Sequence, residues 1–167
     1  LVSIEWFLDV INHRLTLIDP RYTDVGFGVI NEGKIKIEVI DLGTVVWRSQ
    51  IEPAWLPWPP PDSTNIGTRF DGEGGSPLSG AKLPTGYPIT LKYNGTGGVT
   101  YSSAKLTVAG QTAAIPTIAV VGTGFITRNT YVIAANAPLQ PGTTYTIAID
   151  GTADNKPFTR SWSFTTR

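Results

Sequence analysis

Apolar positions in the first third of the chain follow two different rhythms. Ile4, Phe7, Leu8 and Ile11, with Leu15 beyond, recur at three- and four-residue spacing. That places them on one face of a helix, which Trp6 and Val10 widen. Ser3 is the candidate N-cap and Pro20 closes the segment that follows. From Val25 the period drops to two: Val25, Phe27 and Val29 alternate with Gly26 and Gly28. After the turn Asn31-Glu32-Gly33, Ile35, Ile37 and Val39 alternate with Lys34, Lys36 and Glu38, so two paired strands are expected. A third run, Thr44 to Arg48, holds Val45, Val46 and Trp47. A helix and hairpin of about 50 residues are near the size at which a core is marginal on its own. The wide apolar arc of the helix predicts that the unit needs another partner to cover it.

From residue 62 onward the rhythm is that of strands. Candidates are Gly67–Phe70, Ile89–Tyr93, Lys105–Ala109, Ala114–Val120, Tyr131–Ala135, Thr143–Asp150 and Phe158–Thr166. Turn signals separate most of them, among them Ala109-Gly110-Gln111, Gln140-Pro141-Gly142 and Asn155-Lys156-Pro157. Seven short strands over about 105 residues have the size and rhythm of an immunoglobulin-like sandwich. Tyr145, Ile147 and Ile149 alternate with Thr146 and Ala148, so one face of that strand is expected to be buried. Phe158, Trp162 and Phe164 share a face of the last strand. Pro138 to Tyr145 reads as a tyrosine corner, with the phenol oxygen bonded to backbone just upstream.

Between the two parts lies Pro53-Ala54-Trp55-Leu56-Pro57-Trp58-Pro59-Pro60-Pro61, with five prolines in nine residues. Such a segment is excluded from helices and central strands and favours a stiff extended junction. Composition changes across it. The first 55 residues carry 5 basic and 8 acidic side chains, and the remainder 8 basic and 5 acidic. Of 22 threonines, 19 follow the junction. The expected organisation is therefore a unit over 1–52, a Pro-rich linker over 53–61 and an all-β domain over 62–167. Overall, 13 Lys and Arg balance 13 Asp and Glu, which excludes a general attraction to nucleic acid or anionic membrane. No Cys is present, so thiol nucleophiles, disulfides and Cys-ligated metals are excluded, and the single His rules out a multi-His cage. No apolar run is long enough to span a bilayer. The lack of any Met, an initiator included, points to a processed or trimmed chain.

Three stretches carry a resemblance: Trp6-Phe7-Leu8-Asp9-Val10-Ile11-Asn12-His13-Arg14, Leu17-Ile18-Asp19-Pro20 and Asp24-Val25-Gly26-Phe27-Gly28. In order, they resemble the helix with its Gly-His-Arg motif, the Asn-Ile-Leu-x-Pro-like stretch and the Ile-Gly-x-Gly strand that end bacterial CAP (SCP-like extracellular) domains. Asn12 stands where that family has Gly. Residues from Pro59-Pro60-Pro61-Asp62, through Gly86-Tyr87-Pro88-Ile89-Thr90 and Pro138–Tyr145, to Trp162-Ser163-Phe164-Thr165-Thr166 resemble the Ig-like domain that follows a CAP domain in some secreted bacterial proteins. The implied fold is α+β: an N-terminal helix plus hairpin remnant of a CAP α/β/α sandwich, then an all-β immunoglobulin-like sandwich. The upstream motifs of a whole CAP domain are absent, so the resemblance implies the C-terminal part of a longer protein. Its partner would be the missing N-terminal part or another chain over the N-terminal helix, with self-assembly as a further option.

No catalytic residue is assigned outright. His13 is the candidate cavity histidine, and the resemblance implies that it could form half of a divalent-metal site. No cofactor is expected from this chain alone, and a metal such as zinc only if the missing CAP residues are supplied. Arg14 is expected at the cavity rim or in a structural role. Trp55 and Trp58, beside prolines, are candidate binding aromatics, with packing against the tethered domain as the plainer reading. Asp71–Gly75 and Asp150–Asn155 have the oxygen-rich composition of calcium loops without EF-hand spacing, and Asn94-Gly95-Thr96 matches a glycosylation sequon. The leading expectation is a secreted, extracellular or cell-surface module for binding, adhesion or assembly, not an enzyme. The alternatives are a metal-assisted peptidase or esterase, whose carboxylates would come from outside this chain, and lipid or sterol binding.

Overall fold

The computed structural model describes residues 2–44, 52 and 54–167. Its elements are α1 (Val2–Asp9), α2 (Ile11–Leu17), β1 (Tyr22–Glu32), β2 (Ile35–Thr44), β3 (Trp55–Trp58), β4 (Ser63–Ile66), β5 (Arg69–Phe70), β6 (Thr85–Gly86), β7 (Ile89–Tyr93), β8 (Val99–Val108), β9 (Thr117–Val121), β10 (Thr130–Ala135), β11 (Thr144–Ala153) and β12 (Lys156–Thr166). The chain is mostly β-sheet. Beyond Thr44, the strand predicted over Thr44–Arg48 lies outside the described residues.

Two four-stranded sheets, ordered β3-β7-β10-β9 and β4-β12-β11-β8, form a β-sandwich. Their facing side chains make one core: Ile89, Leu91, Ile133 and Ala135 from the first sheet, and Leu106, Tyr145, Ile147, Ile149, Trp162 and Phe164 from the second. Within β11 the predicted alternation holds, since every second residue from Tyr145 to Ile149 is buried. The tyrosine corner is also present: the Gln140 N–H donates to the Tyr145 phenol oxygen at 2.8 Å. Asp154 and Asn155, both at positive φ, make the tight turn between β11 and β12.

The Pro-rich segment contributes to this sandwich. Trp55 to Trp58 form β3, which pairs antiparallel with β7 from Trp55↔Tyr93 to Trp58↔Thr90. Pro57 is tolerated because β3 is an edge strand, where an absent N–H need not break a ladder.

The predicted single helix is broken at Val10, whose extended backbone (φ −104°, ψ 145°) starts α2. Ser3 therefore lies inside α1 and does not cap it. The break lets α2 turn its face onto the outside of the first sheet. Ile11 and Leu15 are sealed there with Val132 and Ala134 of β10, Phe70 and Leu78. Part of the helical face expected to need an outside cover is thus covered from within the chain. Because α2 lies over the first sheet, both faces of β7 are buried, including Thr90 and Lys92 on its outer side.

The predicted hairpin is present, but its turn is Gly33-Lys34: Asn31 and Glu32, expected in the turn, end β1, which pairs antiparallel with β2 from Asp24↔Gly43 to Glu32↔Ile35, and Gly33 has φ +60°. It forms a separate two-stranded ribbon, and every residue of β1 after Tyr22 is exposed. Among the described residues, no helix is long and apolar enough to cross a membrane.

Candidate functional site

α2 and the loop after β5 bring together the polar groups closest to a site. The helix has no side-chain cap of its own at Val10. Its orphan donors are met from far along the chain: Glu73 Oε1 accepts the Asn12 N–H at 2.8 Å. The Asn12 side chain donates to the Gly75 carbonyl at 3.2 Å and ties the same loop down. A carboxylate at this end also complements the helix dipole. Burial holds the Glu73 carboxyl above the usual carboxylate range. The Asn12 hydrogen bond and the nearby charges of His13 and Arg14 only partly oppose that rise.

The second Glu73 oxygen, Oε2, lies 4.0 Å from His13 Nδ1. The two side chains differ in access to solvent, at 51% exposed for His13 and 7% for Glu73. The His13 ring stands beside Phe7 and Trp6, with centroids 5.0 and 5.5 Å away. It lines a cavity of about 260 Å³ with Phe7, Thr16, Leu17, Ile40 and Leu42. The sequence reading places the acidic partner of His13 outside this chain; in the structure a carboxyl group of the same chain, Glu73, lies 4.0 Å from its ring. The signal was hidden because Asp71–Gly75 reads as turn chemistry, and only the packing of α2 brings residue 73 to residue 13. As a zinc centre the pair is insufficient. Among the described residues, no three His, Cys, Asp or Glu converge, whereas zinc sites draw on three or four protein ligands.

Arg14 is fully buried beneath the same helix instead of lining a cavity rim. One guanidinium nitrogen, Nη1, donates to the Pro88 carbonyl at 2.9 Å. Nε and Nη2 have no hydrogen-bond partner among the described residues. Instead, the guanidinium packs 5.5 Å from the Tyr87 ring centroid and 5.7 Å from that of Trp58. Burial lowers its pKa, and the charges of Tyr87, Asp9 and Glu73 oppose that. An arginine remains charged even so. Arg14 thus anchors the helix to the sandwich through its charge and its stacking.

Trp58 donates its indole N–H to the Tyr87 phenol oxygen at 2.9 Å. Trp55 packs against Phe158 and Tyr93, with centroids at 4.2 and 4.8 Å, under the Arg160 guanidinium. Both tryptophans are half-buried and belong to the packing of the sandwich. A second polar cluster, also missed in the sequence, joins the end of α2 to β7. Asp19 accepts two side-chain hydrogen bonds from Arg21, at 3.0 and 2.9 Å, and lies 3.4 Å from Lys92 Nζ. Burial alone would raise the Asp19 carboxyl, but Arg21 and Lys92 outweigh it and hold it below the usual range.

The remaining sequence candidates disperse. Asp71 pairs with exposed Arg69, Asp150 accepts from Ser103 and Thr159, and Asp154 accepts from Tyr93, so neither acidic loop gathers its oxygens at a cation. Asn94 of the sequon is buried and its amide oxygen accepts the Ala54 N–H. In comparisons with known proteins, no family model and no curated protein matches the chain.

Proposed function

We propose that the chain is a non-catalytic binding, adhesion or assembly module of a secreted bacterial protein. On this reading an immunoglobulin-like sandwich carries the end of a CAP-like unit at the cell surface or in an extracellular complex. One observation carries it: Val25, Phe27, Val29 and Ile30 are each more than half exposed on β1, while α2 beside the ribbon is sealed against the sandwich. Exposed apolar residues gathered on one element mark an interaction surface. Full burial of such side chains is worth about 1.5–3 kcal/mol each, enough for a few of them to drive association. The CAP and Ig-like assignments and the extracellular placement rest on the motif resemblance.

The 167-residue chain, 18.0 kDa by itself, should sediment with a bound partner, and Phe27→Asp should release that partner. If both forms sediment at 18.0 kDa with nothing bound, the module reading fails.

A second reading, hydrolysis, gains from the placement of Glu73. Glu73 Oε2 stands 4.0 Å from Nδ1, too far for a hydrogen bond, so it places a carboxyl group near the imidazole without fixing the ring's orientation. This reading requires turnover of a peptide or ester substrate that His13→Ala abolishes. Under the module reading, His13→Ala leaves association unchanged.

A further inference from the structure

We propose that β1 accepts an additional strand from a partner polypeptide along its open edge, and that this strand is apolar at alternate positions with cationic residues at its two ends. The inference rests on the module reading and names the chemistry of the partner.

The backbone supplies the first argument. The turn at Gly33-Lys34 leaves Glu32 and Ile35 as the closing pair, which in a two-residue hairpin exchanges both hydrogen bonds. Counting back, Ile30, Gly28, Gly26 and Asp24 direct N–H and C=O to β2. Val25, Phe27, Val29 and Asn31 direct theirs to the opposite edge, which pairs with no strand among the described residues, along a stretch that is exposed throughout. β2 differs, since Glu38, Ile40 and Leu42, which face its own outer edge, are half-buried. A two-stranded ribbon is marginal in water, and a third strand over an apolar face is the usual remedy.

The edge also lacks the devices that block pairing. From Val25 to Ile30 there is no charge and no proline. Val25, Phe27 and Val29 share a face with Leu42 and Ile40, and Phe27 and Ile40 line the same cavities as Ile4 of α1. Apolar side chains of an added strand would extend this layer.

Charge selects the occupant. β1 carries Asp24 and Glu32, both exposed, and no Lys or Arg. Two β1 edges joined about a two-fold axis would set Asp24 of one copy against Glu32 of the other at both ends, two like-charge pairs with no cation on either strand. A strand with Lys or Arg opposite Asp24 and Glu32 meets opposite charge at both ends, which favours a different polypeptide over a second copy.

The test uses the full chain and a labelled synthetic nonapeptide, Lys-Val-Thr-Val-Thr-Ile-Thr-Val-Lys, with a Glu-ended version as control. The Lys-ended peptide should bind, and hydrogen exchange at the Val25, Phe27 and Val29 amides of the unaltered protein should slow. Val29→Pro removes an outward N–H without touching the β2 ladder and should weaken binding about tenfold, as should the Glu ends. The proposal is overturned by absent binding, by unchanged exchange at those amides, or by equal binding of the two peptides. Dimerisation of the chain that Val29→Pro abolishes would also overturn it, by assigning the edge to a second copy. Peptide failure beside an intact natural complex released by Phe27→Asp would reject the strand and leave the module reading standing.

Discussion

β1 and β11 carry the same pattern and meet opposite fates. Val25, Phe27 and Val29 alternate along one, and Tyr145, Ile147 and Ile149 along the other. In β11 these residues are at most 2% exposed, whereas in β1 they are 55–65% exposed. The difference lies in what surrounds each strand. β11 is paired on both sides, by β12 and β8, and a second sheet faces it. Among the described residues, β1 has one neighbour and an unpaired outer edge. Alternation states which face would gain from burial, and the partners available decide whether that gain is realised.

The comparison breaks most readily in the core. Ile147→Ala should cost about 3–4 kcal/mol in urea unfolding, the range for a cavity in a packed interior, while Phe27→Ala should cost less than about 0.5 kcal/mol. Equal costs would show that the ribbon contributes as much to folding as the sandwich does.

The next largest effect probes how the N-terminal unit is held. Asp19→Asn should cost about 1.5–3 kcal/mol at neutral pH, because it removes the charge from the carboxylate that accepts from Arg21 and faces Lys92. The Asp19 pKa is depressed in the folded state. Its contribution is therefore present above the usual Asp range and is lost as pH falls through the depressed value. The gap between wild type and Asp19→Asn should close over that acidic interval, and a gap independent of pH would contradict the ion-pair assignment.

Smaller effects sharpen the contrast at single hydrogen bonds. Glu73→Ala should cost about 1–2 kcal/mol through loss of the cap on α2. Glu73→Gln keeps an acceptor and removes the charge. Because the Glu73 pKa is raised in the folded state, its favourable contribution belongs to the protonated form, present below the usual Glu range and lost as pH rises through the raised value. Glu73→Gln should therefore gain stability relative to wild type as pH rises from acidic to neutral, read from urea midpoints. Tyr145→Phe should cost about 1 kcal/mol, the value of the bond from Gln140, in the same assay.

Much of the sandwich was legible because its strands are bounded by turn residues and obey a period of two. Ile89–Tyr93 matches β7 at both ends, and the last three predicted strands match β10, β11 and β12 within a few residues. The hairpin was legible for the same reason. Less visible were β3, where the prolines argued against a strand and only its edge position admits them, and the break at Val10, which no Gly or Pro announces. Of the candidate site, His13 was identified from its residue type, but Glu73, Lys92 and Asp19 were not. Each of the three pairs with a group on a distant element, and no local spacing encodes such a meeting.

By itself, then, the sequence determined the strand rhythm, the presence of the hairpin, the tyrosine corner and the absence of thiol or multi-His chemistry. These follow from backbone period, turn chemistry and composition, all of which are local. The tertiary structure alone decided that α2 seals the outer face of the first sheet, that Arg14 is buried between Tyr87 and Trp58, and that Glu73 caps α2 beside His13. It also decided that β1, patterned for burial, pairs on one side only among the described residues. Those outcomes depend on which surfaces meet, and burial is a property of the pair of surfaces, not of either segment alone.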